Sequence, residues 1–166
     1  MKTNKLAGGG ICAALCVVFI LLASFLPTLK LTFLFASSIV MAICLLRYKF
    51  TVYLATFIAV SILSLFIIPN KFIPLAFFGL FGNYPAVKLW IERIKNISLE
   101  YVVKFVAANV YLFIIYVVLK ALGEASFFDF NITVLYIAGI VLMLFYDLAF
   151  GFVINSFYKT YYKYLK

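Results

Sequence analysis

Long apolar runs, each closed by a short cluster of Pro, Asn, Lys or Arg, repeat six times along this chain. They cover about residues 6–26, 31–46, 50–68, 72–90, 99–119 and 130–155. Apolar residues occupy these runs on every side, without the strict polar and apolar alternation that a transmembrane barrel strand requires. A helix needs about 20 apolar residues to cross roughly 30 Å of hydrocarbon. The pattern therefore predicts an all-α membrane protein, a bundle of six transmembrane helices forming a single transmembrane domain over residues 1–166.

The polar positions between the runs orient the bundle. Six spans sort the 14 Lys and Arg residues into two unequal groups. One side holds Lys2, Lys5, Arg47, Lys49, Lys88, Arg93, Lys95, Lys104, Lys159, Lys163 and Lys166, and the other only Lys30, Lys71 and Lys120. Basic loops stay in the cytoplasm, so both N- and C-termini are expected inside. Tyr48, Trp90 and the tyrosines of the tail stand where amphipathic rings favour the headgroup layer.

Composition supports this reading and removes others. Hydrophobic residues make up 68% of the chain and charged residues 11%, against about 25% charged in soluble domains. The net charge of +9 is scattered over helix ends and forms no stripe, so membrane lipids are expected partners and nucleic acid is not. Cys12, Cys16 and Cys44 lie inside spans, and there is no His. No disulfide framework, metal site, cofactor or Ser-His-Asp arrangement is expected. Lys2 and Lys5 before an apolar run imitate a signal peptide, but the run is long and others follow, which favours a retained first helix.

Three groups of residues are candidates for function. Gly9 with Ala13, and Gly10 with Ala14, are small residues four apart near the inner end of span one. In lipid, such pairs let helices approach closely, either within the bundle or onto another membrane subunit. The second group is a polar cluster in the inner half: Asn83, Tyr84, Lys88, Lys104, Asn109 and Asp147. A lone carboxylate at the depth of Asp147 costs roughly 2.5–3.5 kcal/mol, so a partner or a proton is expected. The cluster reads either as an Asp147–Lys pair fixing helix register or as a ligand-contacting or protonation site. Pro85, following Gly79 and Gly82, makes span four the least regular, with a kink expected at the proline. The third group is a small outer mouth of Lys30, Asn70 and Asn131. With five acidic residues and no base for Ser37, Ser38, Ser61 or Ser64, no enzyme activity is expected; a lipid-modifying role for Asp147 is the remote alternative.

The layout, together with Ala7-Gly8-Gly9-Gly10-Ile11-Cys12-Ala13-Ala14 at the start of span one, resembles the substrate-binding S components of energy-coupling-factor vitamin transporters. In that family, small residues of an AxxxA type on the first helix dock onto the transmembrane coupling subunit; Gly9, Gly10, Ala13 and Ala14 stand in the corresponding place, with glycine for the first alanine. The resemblance implies a bacterial plasma-membrane subunit that captures a micronutrient outside and needs a coupling subunit with cytoplasmic ATPases inside. Here the external loop after span one is only about Pro27 to Lys30, and the deepest charge lies in the inner half. A non-transporting cell-shape subunit of bacteria with a related fold resembles the layout equally, which makes a membrane scaffold the alternative function.

Overall fold

A computed structural model describes residues 2–91, 97–121 and 132–164. Seven α-helices account for nearly all of it: α1 (Lys2–Phe25), α2 (Lys30–Arg47), α3 (Phe50–Ile67), α4 (Phe72–Ala76), α5 (Tyr84–Ile91), α6 (Ile97–Ala121) and α7 (Ile132–Tyr164). No strand occurs among the described residues. Five segments are long and apolar enough to cross a membrane: Lys5–Phe25, Lys30–Arg47, Phe50–Ile67, Phe72–Ile91 and Gly139–Ser156. Helix α6, of 25 residues, is long enough, with an apolar stretch over Val102–Ile114.

The helix ends differ from the apolar boundaries in a systematic way. Helix α1 already includes Lys2–Lys5, and α7 runs on to Tyr164, through Tyr158, Lys159 and Tyr161. Neither extension contains a Gly or Pro, so nothing stops the backbone ladder where the apolar composition stops. At about 1.5 Å per residue the 33 residues of α7 measure roughly 50 Å, well beyond the hydrocarbon thickness.

The chain divides into two compact units, Met1–Tyr101 and Val102–Lys166. In the first, α1 packs along α2 and α3, and α2 also meets α5. The buried stripe of α1 is Gly8, Gly9, Cys12, Cys16, Ile20 and Ala23, one helix face at three- and four-residue steps. Buried positions of α2 include Ser37, Ser38, Ala42 and Cys44, and those of α3 include Thr56, Ser61 and Ser64. Ile20, Leu34, Met41 and Tyr53 are buried beside them, but many bulky apolar residues point outward; Phe66 is 84% exposed and Phe25 76%. Water would reject this distribution. Hydrocarbon selects it, because lipid gives bulky side chains no reason to hide while close backbone approach needs small ones.

Three buried serine hydroxyls are satisfied within their own helices. Ser37 donates to the Leu34 carbonyl at 2.6 Å, Ser61 to Phe57 at 2.8 Å and Ser64 to Ser61 at 3.1 Å. Among the described residues no buried side-chain nitrogen or oxygen lacks a hydrogen-bond partner. Cysteines 12, 16 and 44 are buried free thiols.

The connections are tight. A 3₁₀ turn, Pro27–Leu29, joins α1 to α2. After α3, the Lys71 ammonium turns back to donate to the carbonyls of Leu65 (2.6 Å) and Ile68 (2.9 Å), closing orphan carbonyls at the negative end of the helix. Lys71→Met is expected to lower unfolding stability in micelles by about 0.5–1 kcal/mol. An unchanged unfolding midpoint would mean that water replaces the ammonium at no cost.

Candidate functional site

The glycine stretch of α1 is divided by its neighbours. A Cβ on Gly8 would collide with the Tyr48 hydroxyl, and one on Gly9 would lie 2.7 Å from Val52 Cγ1 and 3.2 Å from Thr56 Oγ1. The absence of side chains there brings α1 against the start of α3. Polar contacts follow that approach: Thr56 Oγ1 donates to the Gly9 carbonyl at 3.4 Å, and the Cys44 thiol lies 3.8 Å from Thr56 Oγ1. Gly10 is different. A Cβ there would meet nothing within 4 Å, and Ala7, Gly10 and Ala14 are all exposed. Leu6, Ile11 and Leu15, also exposed, flank them on the same helix. Of the four residues read together in the sequence, Gly9 faces the bundle, Ala13 is half-buried, and Gly10 and Ala14 face out.

The six residues expected to form a polar cluster fall three in each unit. In the second unit the Lys104 ammonium lies 3.3 Å from Asp147 Oδ2, with side chains 23% and 18% exposed. Asn109 donates to the Phe105 carbonyl of its own helix at 2.8 Å and accepts from the Tyr136 hydroxyl. A Cβ on Gly139 would lie 2.6 Å from Leu112. The pairings 104 with 147 and 112 with 139 make α6 and α7 antiparallel, pinned by an ion pair, a side-chain hydrogen bond and a glycine contact. Asp147 thereby has a fixed counter-charge, the arrangement a low-dielectric site demands of a carboxylate.

In the first unit Asn83, Tyr84 and Lys88 belong to a break in the fourth apolar segment. The α4 helix gives way to a π-helical turn, Phe77–Phe81, and α5 begins at Tyr84. The expected kink at Pro85 is thus a break placed before it. Pro85 sits in the first turn of α5, where its missing N–H has no ladder partner to lose. Asn83 Nδ2 donates to the Gly79 carbonyl at 3.3 Å. Lys88, on α5, is only 4% exposed.

Of the three residues expected at a mouth, Lys30 and Asn70 serve as helix ends. Lys30 is the first residue of α2, and Asn70 Oδ1 accepts from the Phe72 N–H at 3.1 Å, opening α4. Asn131 lies outside the described residues, as do Arg93, Lys95 and Lys166. Among the described residues no three His, Cys, Asp or Glu side chains gather as a metal site requires.

Residues that sequence reasoning passed over are Tyr53 and Thr56, both buried on α3 and both bonded to glycine carbonyls, Gly82 and Gly9. A signal was present: 53, 56, 60 and 64 step by three and four along an otherwise bulky apolar helix and hold Tyr, Thr, Val and Ser. Comparison with family models, with curated proteins and with solved structures finds no match to this chain.

Proposed function

We propose that this chain is the membrane-embedded capture subunit of an ATP-driven micronutrient uptake transporter, docking its coupling subunit through the outward face of α1. On this reading the chain crosses the bacterial plasma membrane six times with both termini in the cytoplasm, as the unequal sorting of Lys and Arg requires. The observation that carries the docking surface is the open position of Gly10, with exposed Ala7 and Ala14 beside it. Lipid alone gives no advantage to glycine at an exposed helix position, where it costs about 1 kcal/mol relative to alanine. A partner helix that approaches the backbone does. The chain carries no phosphate-cradling Gly-x-x-x-x-Gly-Lys-Ser/Thr motif, so ATP hydrolysis falls to associated subunits.

A mild-detergent pull-down of the tagged protein from its native membrane, read by mass spectrometry, tests the proposal. It predicts a membrane coupling subunit accompanied by two ATPases. The second reading is a non-transporting scaffold of envelope assembly. It is favoured by the structural employment of Asn70 and of Asp147, each already engaged in a cap or an ion pair. Wall-synthesis or cytoskeletal proteins in the pull-down, without ATPases, would establish that reading instead.

A further inference from the structure

The break in the fourth apolar segment is held from outside by a neighbouring helix. Within the π turn the Gly82 N–H donates to the Phe77 carbonyl at 2.7 Å, a five-residue step that widens the helix. Beyond it the ladder resumes with Ala86 and Val87 both donating to Asn83, at 3.1 and 3.3 Å. Pro85 supplies no N–H across the junction. The two halves of the segment therefore meet at Gly82–Asn83 with the regular ladder interrupted, the circumstance under which helices bend sharply.

Freed carbonyls in a broken membrane helix can coordinate cations, but here two carbonyls at the break have side-chain partners. The Gly79 carbonyl takes the Asn83 amide in a half-buried bond, and the Gly82 carbonyl takes the Tyr53 hydroxyl at 2.6 Å in a buried one. Tyr53 belongs to α3, so this bond fastens the junction to a different helix. The ring stacks with Phe57, which in turn meets Phe77 and Phe78 at centroid distances of 6.1 and 5.5 Å. Phe57 also lies where a Gly82 Cβ would stand, 2.6 Å away.

The two arms have separate fastenings, α4 meeting α1 and α3 while α5 packs on α2. The α4 arm follows directly on the Asn70 cap and the Lys71 closure of α3. The α5 arm starts at the break and carries buried Lys88 and exposed Trp90. We infer that Gly82–Asn83 is a hinge within the fourth apolar segment, and that the Tyr53 hydroxyl is the latch holding α5 in its present position. This device is independent of the proposed docking face on α1.

The test uses the full-length protein in lipid nanodiscs, with amide hydrogen exchange and the fluorescence anisotropy of Trp90, the single tryptophan of the chain. Tyr53→Phe keeps the ring and removes the latch. Amides of Gly82, Asn83, Tyr84, Ala86 and Val87 are expected to exchange about tenfold faster, the worth of one buried hydrogen bond. Trp90 anisotropy falls with them, while α1 and α3 amides stay within about twofold. Ser61→Ala, which removes a bond internal to α3, is expected to leave both readouts unchanged. Unaltered exchange in Tyr53→Phe, or equal acceleration throughout α1 and α3, would overturn the latch. Should Tyr53→Phe fail to fold, the wild-type protein decides: α5 amides that open only together with α1 and α3 contradict a hinge, and earlier opening supports it.

Discussion

Gly10→Leu is expected to leave the fold intact and abolish partner capture, whereas Gly9→Leu is expected to damage the fold itself. The two positions are adjacent, chemically identical and a fraction of a turn apart, yet their surroundings are opposite. At Gly9 the first added carbon meets Val52 at 2.7 Å and Thr56 at 3.2 Å, and the Thr56 hydroxyl bonds the Gly9 carbonyl. A leucine there must push α1 away from α3, and overpacking of this kind costs about 1–3 kcal/mol. The gain in helix propensity offsets less than about 1 kcal/mol of that. At Gly10 nothing stands within 4 Å, so the same leucine gains propensity without a clash. Thermal unfolding in micelles separates the stabilities, and recovery of the co-purifying membrane protein separates the binding. A Gly10→Leu protein that is stable and still captures its partner would show that the outward face is only a lipid contact.

Breaking the Lys104–Asp147 pair from one side is expected to cost far more than removing it whole. Asp147→Leu takes the carboxylate away from the Lys104 ammonium in a site that is 23% exposed, and Lys104→Met takes the ammonium away from the Asp147 carboxylate. Loss of one partner of a fully buried pair costs about 3–5 kcal/mol and of this half-buried one a part of that, while replacing both by apolar residues of similar size is often neutral. The double variant is therefore expected to unfold near the wild-type midpoint, with each single variant well below it. The same set separates structure from function. If the pair only fixes the register of α6 against α7, the double variant keeps partner capture and any ligand binding. Wild-type stability combined with lost function would make Asp147 a working carboxylate.

The elements were legible where chemistry changes along the chain and illegible where it changes around a helix. Apolar runs located α2 and α3 to within a residue or two of Lys30–Arg47 and Phe50–Ile67, because Pro27, Lys49 and Pro69 interrupt the composition. Residues 2–5 and 156–164 extend their helices through polar sequence, which composition does not mark. Gly79, Gly82 and Pro85 signalled an irregular fourth segment. Their identity alone could not say that the break would take the form of a π turn latched by Tyr53, since that depends on a helix about 30 residues earlier. Apolar periodicity says little about which side of a helix is buried when every side is apolar. The buried faces of α2 and α3 gather their small and hydroxyl-bearing residues, with Leu34, Met41 and Val60 among them.

The candidate residues show the same division. Asp147 announced a need for a counter-charge without naming its source, and Lys104, across the antiparallel register of α6 and α7, supplies one. The glycine stretch announced close approach without saying from which side. Tyr48, Val52 and Thr56 cover Gly8 and Gly9, and by doing so leave Gly10 as the open position.

Whether the exposed face of α1 meets a coupling subunit can be read by site-specific cross-linking. A photoreactive side chain placed at Ala14 in the full-length protein, irradiated in its native membrane, reports whatever lies against that face. Docking onto a coupling subunit predicts one dominant adduct with an integral membrane protein that itself co-purifies with ATPases, and its loss in Gly10→Leu. Adducts confined to lipid, or formed with envelope-assembly proteins alone, would contradict it.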